Sequence, residues 1–405
     1  MAAVAAIAGL APAGASVRVP EVRIAAGLQV TSRPTSLVPE DLTDFVFLPS
    51  GDLLVAGKNG EVKRVTRTGR AYYLAVLKVD AANNRGLLSI ALAPDYRTTG
   101  HLYTLATFLQ SDGHIVGRVQ RWTVDRPAAP TFMTDPVTVL DDIPADGTGD
   151  HTIDQVLVAP DGTLFVSSGD GSSEMPGVPT GAETRSNPGL RAFQSQDPTT
   201  PLGKILHVTP DGQGVATNPF FDPANPDSWS SRIFALGLRN PFRFTLHGSD
   251  VLFVGDVGDH AREMIAVVHA GDNWGWPCLE GGELPTVYDS DPQCATVRAP
   301  RAPLYEYKHG NQPKGELSSA AVVGGVFVAS SGYRAELGGN YVFGDFVRGD
   351  ILALSVDRDD HLTRGDRIRE LAHGAWMPVA FGLDPAGHVC FADSLHSKVR
   401  CLTPT

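Results

Sequence analysis

The chain reads as an all-β protein, a six-bladed β-propeller with long loops on one rim. Three observations predict this. A strand–turn–strand phrase recurs six times, convincing amphipathic helices are almost absent between the copies, and 43 Gly and 30 Pro are dispersed along 405 residues. Such small sheets bury their faces by packing against neighbours in a ring. An irregular β-sandwich is the structural alternative, but it gives no reason for one turn to repeat.

Residues 1–16 resemble the end of a signal peptide. Ala2 to Leu10 is small and apolar, and Ala11-Pro12-Ala13-Gly14-Ala15 offers small-residue cleavage sites, although a basic n-region is missing. A flexible Ala-rich tail is the alternative. Residues 17–405 form the single propeller domain, and an early strand within 17–30 is expected to complete the last blade and close the ring. No apolar run approaches the ~20 residues of a membrane helix.

The first copy of the phrase is Phe47-Leu48-Pro49-Ser50-Gly51-Asp52-Leu53-Leu54-Val55. It returns at Leu92-Ala93-Pro94-Asp95 with Leu102-Tyr103, and at Val158-Ala159-Pro160-Asp161-Gly162-Thr163-Leu164. Weaker copies occupy 244–254, 322–345 and 383–391. Alternating strands trail the copies, as in Glu61-Val62-Lys63-Arg64-Val65 and Lys204-Ile205-Leu206-His207-Val208. Two long excursions, 171–201 and 273–319, are rich in Gly, Pro, Ser and Asn. Loops of that length in a compact domain are usually functional or disordered, and here they are expected over the central channel.

A net charge of −12 removes the electrostatic drive for nucleic-acid or anionic-membrane binding. Four cysteines form two close pairs, Cys278 with Cys294 and Cys390 with Cys401, at spacings unlike zinc sites. In an exported chain they read as two local disulfides, and in a cytosolic one as four buried thiols. A secreted or periplasmic location is expected.

His151 stands just before a blade strand, and Asp170 stands 19 residues later, after the returning strand. An out-and-back hairpin brings both side chains to one rim. An imidazole suits proton abstraction from a hydroxyl, and a carboxylate partner fixes its tautomer. On residue type alone, a surface histidine beside a Gly-Asp turn is the commoner outcome.

Three further segments carry unusual wording: Gly237-Leu238-Arg239-Asn240-Pro241, Gly255-Asp256-Val257-Gly258-Asp259 and Asn273-Trp274-Gly275-Trp276-Pro277. Together they resemble the signature of the glucose/sorbosone dehydrogenase family, soluble quinoproteins that oxidise sugars with pyrroloquinoline quinone (PQQ) and Ca2+. The resemblance implies His151 as general base with Asp170 orienting it. It places Arg239 and Asn240 beside the quinone, with a planar guanidinium suited to polarising a quinone oxygen. It also implies that Gly258 and Asp259 hold a cofactor-bound calcium through carbonyls, and that Glu263 and the Trp274 carbonyl hold a second, structural calcium. Arg239 bracing the proline corner and Glu263 being merely solvated are the plainer readings.

The sequence also departs from the family pattern. Thr152, Ile153 and Asp154 replace the glycines that usually follow the histidine, and Asn84 replaces a glutamine before Gly86-Leu87-Leu88. Val347 stands where relatives carry a cofactor-binding lysine, and Met377 to Phe381 is apolar where arginines are expected. Asn84 remains a candidate donor to the cofactor, and Arg85 and Arg348 are candidate cationic substitutes. His309, on the second long loop, either reaches the cleft or packs against Tyr307 as a loop anchor, and Gln196 and Asp197 read as loop-anchoring residues. The function this implies is PQQ- and calcium-dependent oxidation of an aldose or related alcohol at the anomeric carbon, with electrons leaving to an external acceptor. A non-catalytic carbohydrate- or protein-binding propeller and a calcium-dependent propeller lactonase are the alternatives.

Overall fold

Runs such as Leu53-Leu54-Val55-Ala56 are buried throughout, although successive strand residues point to opposite faces. Leu53 and Val55 join one apolar cluster with Val379, Ala392 and Val399, while Leu54 and Ala56 join another with Leu87, Ile90 and Leu102. A strand packed on both faces loses the polar–apolar alternation of a half-exposed one.

The computed structural model describes residues 22–146, 150–172, 188–281, 284–286, 288–298, 300, 302–309, 320–329, 331–363 and 368–405. Six antiparallel sheets follow one another in a ring as the blades of a β-propeller. Their innermost strands are Leu42–Phe47, Leu87–Leu92, Ile153–Val158, Pro241–His247, Val322–Phe327 and Pro378–Leu383. Each lies beside the next, and the sixth lies beside the first. Six apolar clusters fill the wedges, one between each pair of neighbouring blades.

The repeated phrase is the inner hairpin of the blades. In the first, Gly51 (φ 80°) donates to Leu48 O while Leu48 N bonds Asp52 O. Gly162 (φ 90°) and Gly387 (φ 85°) repeat the pattern in the third and sixth blades. In the second blade the short helix Tyr96–Thr99 makes the same reversal, and in the fifth Ser331–Leu337 does so.

The ring is closed by Leu28–Pro34, which pairs with Lys398–Pro404 as the outer strand of the sixth blade. This shifts the closing strand from the expected 17–30. The reason is that Arg23–Ile24 pairs instead with Arg369–His373 of the fifth blade. Residues 17–21 and the 1–16 segment lie outside the described residues. No described helix is long and apolar enough to cross a membrane. Both disulfides form between the expected cysteines, and Cys390 and Cys401 are direct cross-strand partners in the sixth blade.

Candidate active site

A cavity of about 190 Å3 lies where the innermost strands begin. All six blades reach it, through Thr43 and Lys58, Asn84 and Leu88, His151, Thr152 and Asp154, Asn240 and Arg243, Ala320 to Val322, and Val379. Phe242, Val257, Phe346 and Val347 add apolar walls.

His151 reaches this lining from the residue pair before the third inner strand. Its backbone adopts φ 43°, which costs a non-glycine residue on the order of 1 kcal/mol. Gly171 N donates to its carbonyl at 2.9 Å, and Gly169 N donates to Thr152 O at 2.8 Å, so the loop after the returning strand holds this conformation. His151 Nδ1 lies 3.0 Å from Asp170 Oδ1 and 3.2 Å from Ser172 Oγ. Trp276 Nε1 donates to Asp170 Oδ2 at 2.6 Å, and Ser172 N to Oδ1 at 2.9 Å. Burial alone would push the Asp170 carboxyl up. The His151 hydrogen bond and charge, with Arg239 nearby, outweigh it and hold the group below the usual carboxylate range. A carboxylate on Nδ1 selects the tautomer in which Nε2 is the basic nitrogen.

The two long excursions meet behind this pair. Gln196 Nε2 donates to Trp276 O at 2.7 Å and exchanges hydrogen bonds with the Asn273 amide. Asp197 caps its own turn through Thr199. His309 is paired with Glu263 at 2.6 Å.

Arg239, which the resemblance places beside the quinone, does not line the cavity. Its Nη1 donates to Gly258 O at 2.6 Å and Val257 O at 3.2 Å, and Nη2 to Asp259 Oδ1 at 3.2 Å. The guanidinium also lies over the Trp276 ring at 5.4 Å. These acceptors draw it into a crevice shared with Trp274, Trp276 and Glu280, and it is absent from the cavity lining. Asn240, one residue on, does line the cavity, its backbone N donating to Asp256 Oδ1 at 2.8 Å.

The residues expected to hold calcium are engaged by other partners. Glu263 is fully buried and receives Val322 N at 2.9 Å besides His309. Burial pushes its carboxyl well above the ordinary value. Glu280 Oε1, which the sequence did not single out, accepts from the backbone N–H groups of Asp259, His260, Ala261 and Arg262 at 2.8–3.1 Å. Among the described residues no group of three or more His, Cys, Asp or Glu side chains converges as a metal site would.

The expected cations are also held aside. Arg348 Nη2 donates to Lys308 O at 2.7 Å and its guanidinium lies over Tyr307 at 5.0 Å, outside the lining. Arg85 is bound to Asp80 at 2.6 Å and to Ala145 O. Asn84 lines the cavity and donates to Asp150 Oδ1 at 3.2 Å.

Three lining residues carry charge chemistry that motif reading missed. Lys58 brings an ammonium from the turn after the strand Leu53–Gly57, its pKa lowered chiefly by burial. Arg243 lies at the inner end, 5% exposed. Its donors reach Thr43 O, Leu88 O, Asp154 O and Val379 O, main-chain acceptors in four other blades. Asp154 is 4% exposed, and its Oδ2 has no hydrogen-bond partner. Burial raises its pKa to about 8 against the opposing charges of Arg243 and His151, with Asp256 and Asp170 adding to the rise. A charged residue in an otherwise buried inner strand was the available signal for Arg243; Lys58 had none.

The chain matches the Glucose / Sorbosone dehydrogenase family over residues 39–377. Quinoprotein glucose dehydrogenase B of Acinetobacter calcoaceticus is 25% identical over 235 residues, 56% of this chain and 46% of that protein. The hedgehog-interacting protein of Mus musculus is 27% identical over 389 residues, 87% of this chain and 48% of that protein. The chain thus spans about half the length of these curated relatives. The PQQ-bound aldose sugar dehydrogenase of Streptomyces coelicolor superposes with a TM-score of 0.68 at 20% identity, covering 94% of this chain and 99% of that one, a likeness of fold. With the family pattern matched over most of its length, the chain belongs to the glucose/sorbosone dehydrogenase family.

Proposed function

We propose that the protein is a PQQ-dependent dehydrogenase that oxidises an aldose, or a related sugar or alcohol, at the anomeric carbon and passes the electrons to an external acceptor. The observation that carries this reading is the buried His151–Asp170 pair bordering a cavity to which every blade contributes. His151 accepts the substrate hydroxyl proton as the C–H bond breaks, and Asp170 stabilises the imidazolium that forms. PQQ, when bound, supplies the two-electron acceptor. Phe242, Phe346 and Val379 offer apolar walls to such a ring system, and Lys58 offers an ammonium to one of its carboxylates. The amides of Asn84 and Asn240 supply neutral polar contacts.

Calcium fits less well. The Gly258 carbonyl that would hold it accepts from a guanidinium, and Glu263 is committed to His309 and Val322. No step is therefore routed through a metal. Two disulfides support a secreted or periplasmic location, where oxidising conditions maintain them.

Purified protein loaded with PQQ, with and without calcium, is expected to reduce an electron-accepting dye in the presence of an aldose. His151→Gln is expected to lower that rate by about 10²–10⁴-fold. Wild-type turnover in this variant, or no dye reduction across a broad sugar panel, sinks the reading. A binding propeller without redox chemistry is the second reading, favoured by the commitment of Arg239 and Arg348 to partners outside the cavity.

A further inference from the structure

The two oxygens of the Asp170 carboxylate are held unequally. Oδ1 accepts from Ser172 N at 2.9 Å and Ser172 Oγ at 2.8 Å, and faces His151 Nδ1 at 3.0 Å. Among the described residues Oδ2 accepts from one group, Trp276 Nε1 at 2.6 Å. The terminal torsion of an Asp side chain is soft, so a donor on the second oxygen is what fixes the carboxylate plane.

The indole is itself held firmly. It comes from the second long excursion, 106 residues beyond Asp170. Its backbone N donates to Gly237 O at 2.9 Å, and its carbonyl accepts from Ser195 Oγ at 2.6 Å and Gln196 Nε2 at 2.7 Å. Tyr288 meets the ring edge-on with centroids 6.2 Å apart, and Trp276 is 4% exposed. It does not line the cavity. The plainer account is that a buried indole N–H takes whatever acceptor lies near. The other indoles argue against it. Trp274 Nε1, two residues earlier and also buried, has no hydrogen-bond partner, while Trp122 and Trp376 donate to a hydroxyl and a carbonyl. Among the described residues Trp276 alone gives its N–H to a carboxylate.

We propose that Trp276 is a positioning residue for the base: its N–H fixes the plane of the Asp170 carboxylate, so that Oδ1 accepts the Nδ1–H of His151 and Nε2 is left as the nitrogen that takes the proton. This role rests on the sugar-oxidation reading for what His151 does, and adds what keeps the imidazole in the working state. With Oδ2 unheld, the carboxylate turns and offers Nδ1 a bent hydrogen bond. The ring then gains both rotation and the other tautomer, whose Nε2 carries a proton and cannot accept one. The charged groups around the pair are Arg239, Asp154 and Asp256. Arg239 sends Nη1 and Nη2 to Gly258 and Asp259, so it does not duplicate the indole.

The test removes the donor and keeps the ring. Trp276 is replaced by its benzothiophene analogue, with sulfur in place of N–H, and in parallel by phenylalanine (Trp276→Phe). Both proteins are verified as folded by circular dichroism, and the analogue carries the test if the smaller ring loosens the loop. In the protein without PQQ, proton NMR follows the Nδ1–H of His151, assigned by its loss in His151→Gln. That proton is expected far downfield and slow to exchange with water in the wild type, and about tenfold faster to exchange in both variants. In the PQQ-loaded protein, kcat for dye reduction is expected to fall about ten- to a hundredfold with KM within about twofold of wild type, because the indole does not touch the cavity. An unchanged Nδ1–H proton, an unchanged kcat, or a loss carried by KM overturns the positioning role. The two ideas fail separately. Faster exchange in the variants, with no turnover even in the wild type, leaves the placement of His151 standing and removes the oxidation. Wild-type turnover that both variants retain leaves the oxidation standing and removes Trp276 from its role.

Discussion

At the scale of single residues, Asp154 contributes to how stability responds to pH. Its folded pKa of about 8 lies above the ordinary carboxyl value of 3.8, so between these limits the folded state binds the proton more tightly than the unfolded chain. The associated stability is complete below about pH 4 and is lost as pH rises through 8. Asp154→Asn removes this linkage. Urea unfolding at pH 5 and pH 8 is expected to show the wild type losing on the order of 3 kcal/mol more than the variant across that interval. Equal pH slopes would show that the carboxyl ionises without cost. His151 and Asp170 were legible in the sequence because a hairpin converts their separation into adjacency. Asp154 was visible only as a departure from glycine, since its protonation depends on Arg243, 89 residues away, and on burial that no local pattern encodes. The orientation of Arg239 was not legible either, because a long flexible side chain goes to whichever acceptors the fold brings near it, here those of Gly258 and Asp259.

At the scale of elements, the 258–262 turn depends on a partner supplied by the long fourth-blade excursion. One oxygen of Glu280 receives four successive backbone donors, which replaces water for N–H groups that no strand pairing satisfies at this corner. Glu280→Ala is expected to destabilise the protein by about 2–3 kcal/mol and to speed amide exchange first at residues 259–262. Uniform exchange across the blade would show that the turn holds itself. The Cys390–Cys401 bridge acts on a sheet that already pairs these residues. Its replacement by two alanines is expected to lower unfolding stability by about 2–4 kcal/mol, read from the urea midpoint. Sequence patterns revealed the repeated hairpins and both bridges because each is local. Neither the fifth blade's recruitment of Arg23–Ile24 nor the ring-closing register of Leu28–Pro34 follows from local composition. Both pairings are decided by which sheet edges remain open when the ring closes.

At the scale of the whole molecule, the six wedges of apolar side chains hold neighbouring blades together, but Arg243 ties together blades that are not neighbours. From the fourth blade its guanidinium reaches carbonyls in the first, second, third and sixth. Those acceptors sit at the starts of the inner strands, the place where the cavity also forms. Ring geometry and cavity shape therefore depend on the same group. Arg243→Leu leaves four buried carbonyls without their donor, and also removes the charge that opposes protonation of Asp44 and Asp154. A loss of about 3–5 kcal/mol is expected, seen as a lower urea midpoint with the m-value unchanged. Arg243→Lys keeps the charge but offers three donors from one atom in place of a planar fork, so it is expected to recover only part of the loss. Because the carbonyls belong to separate blades, the damage should reach the inner strands of the first, second, third and sixth blades as well as its own. Faster amide exchange confined to the fourth blade would show that the arginine serves its own sheet and not the ring.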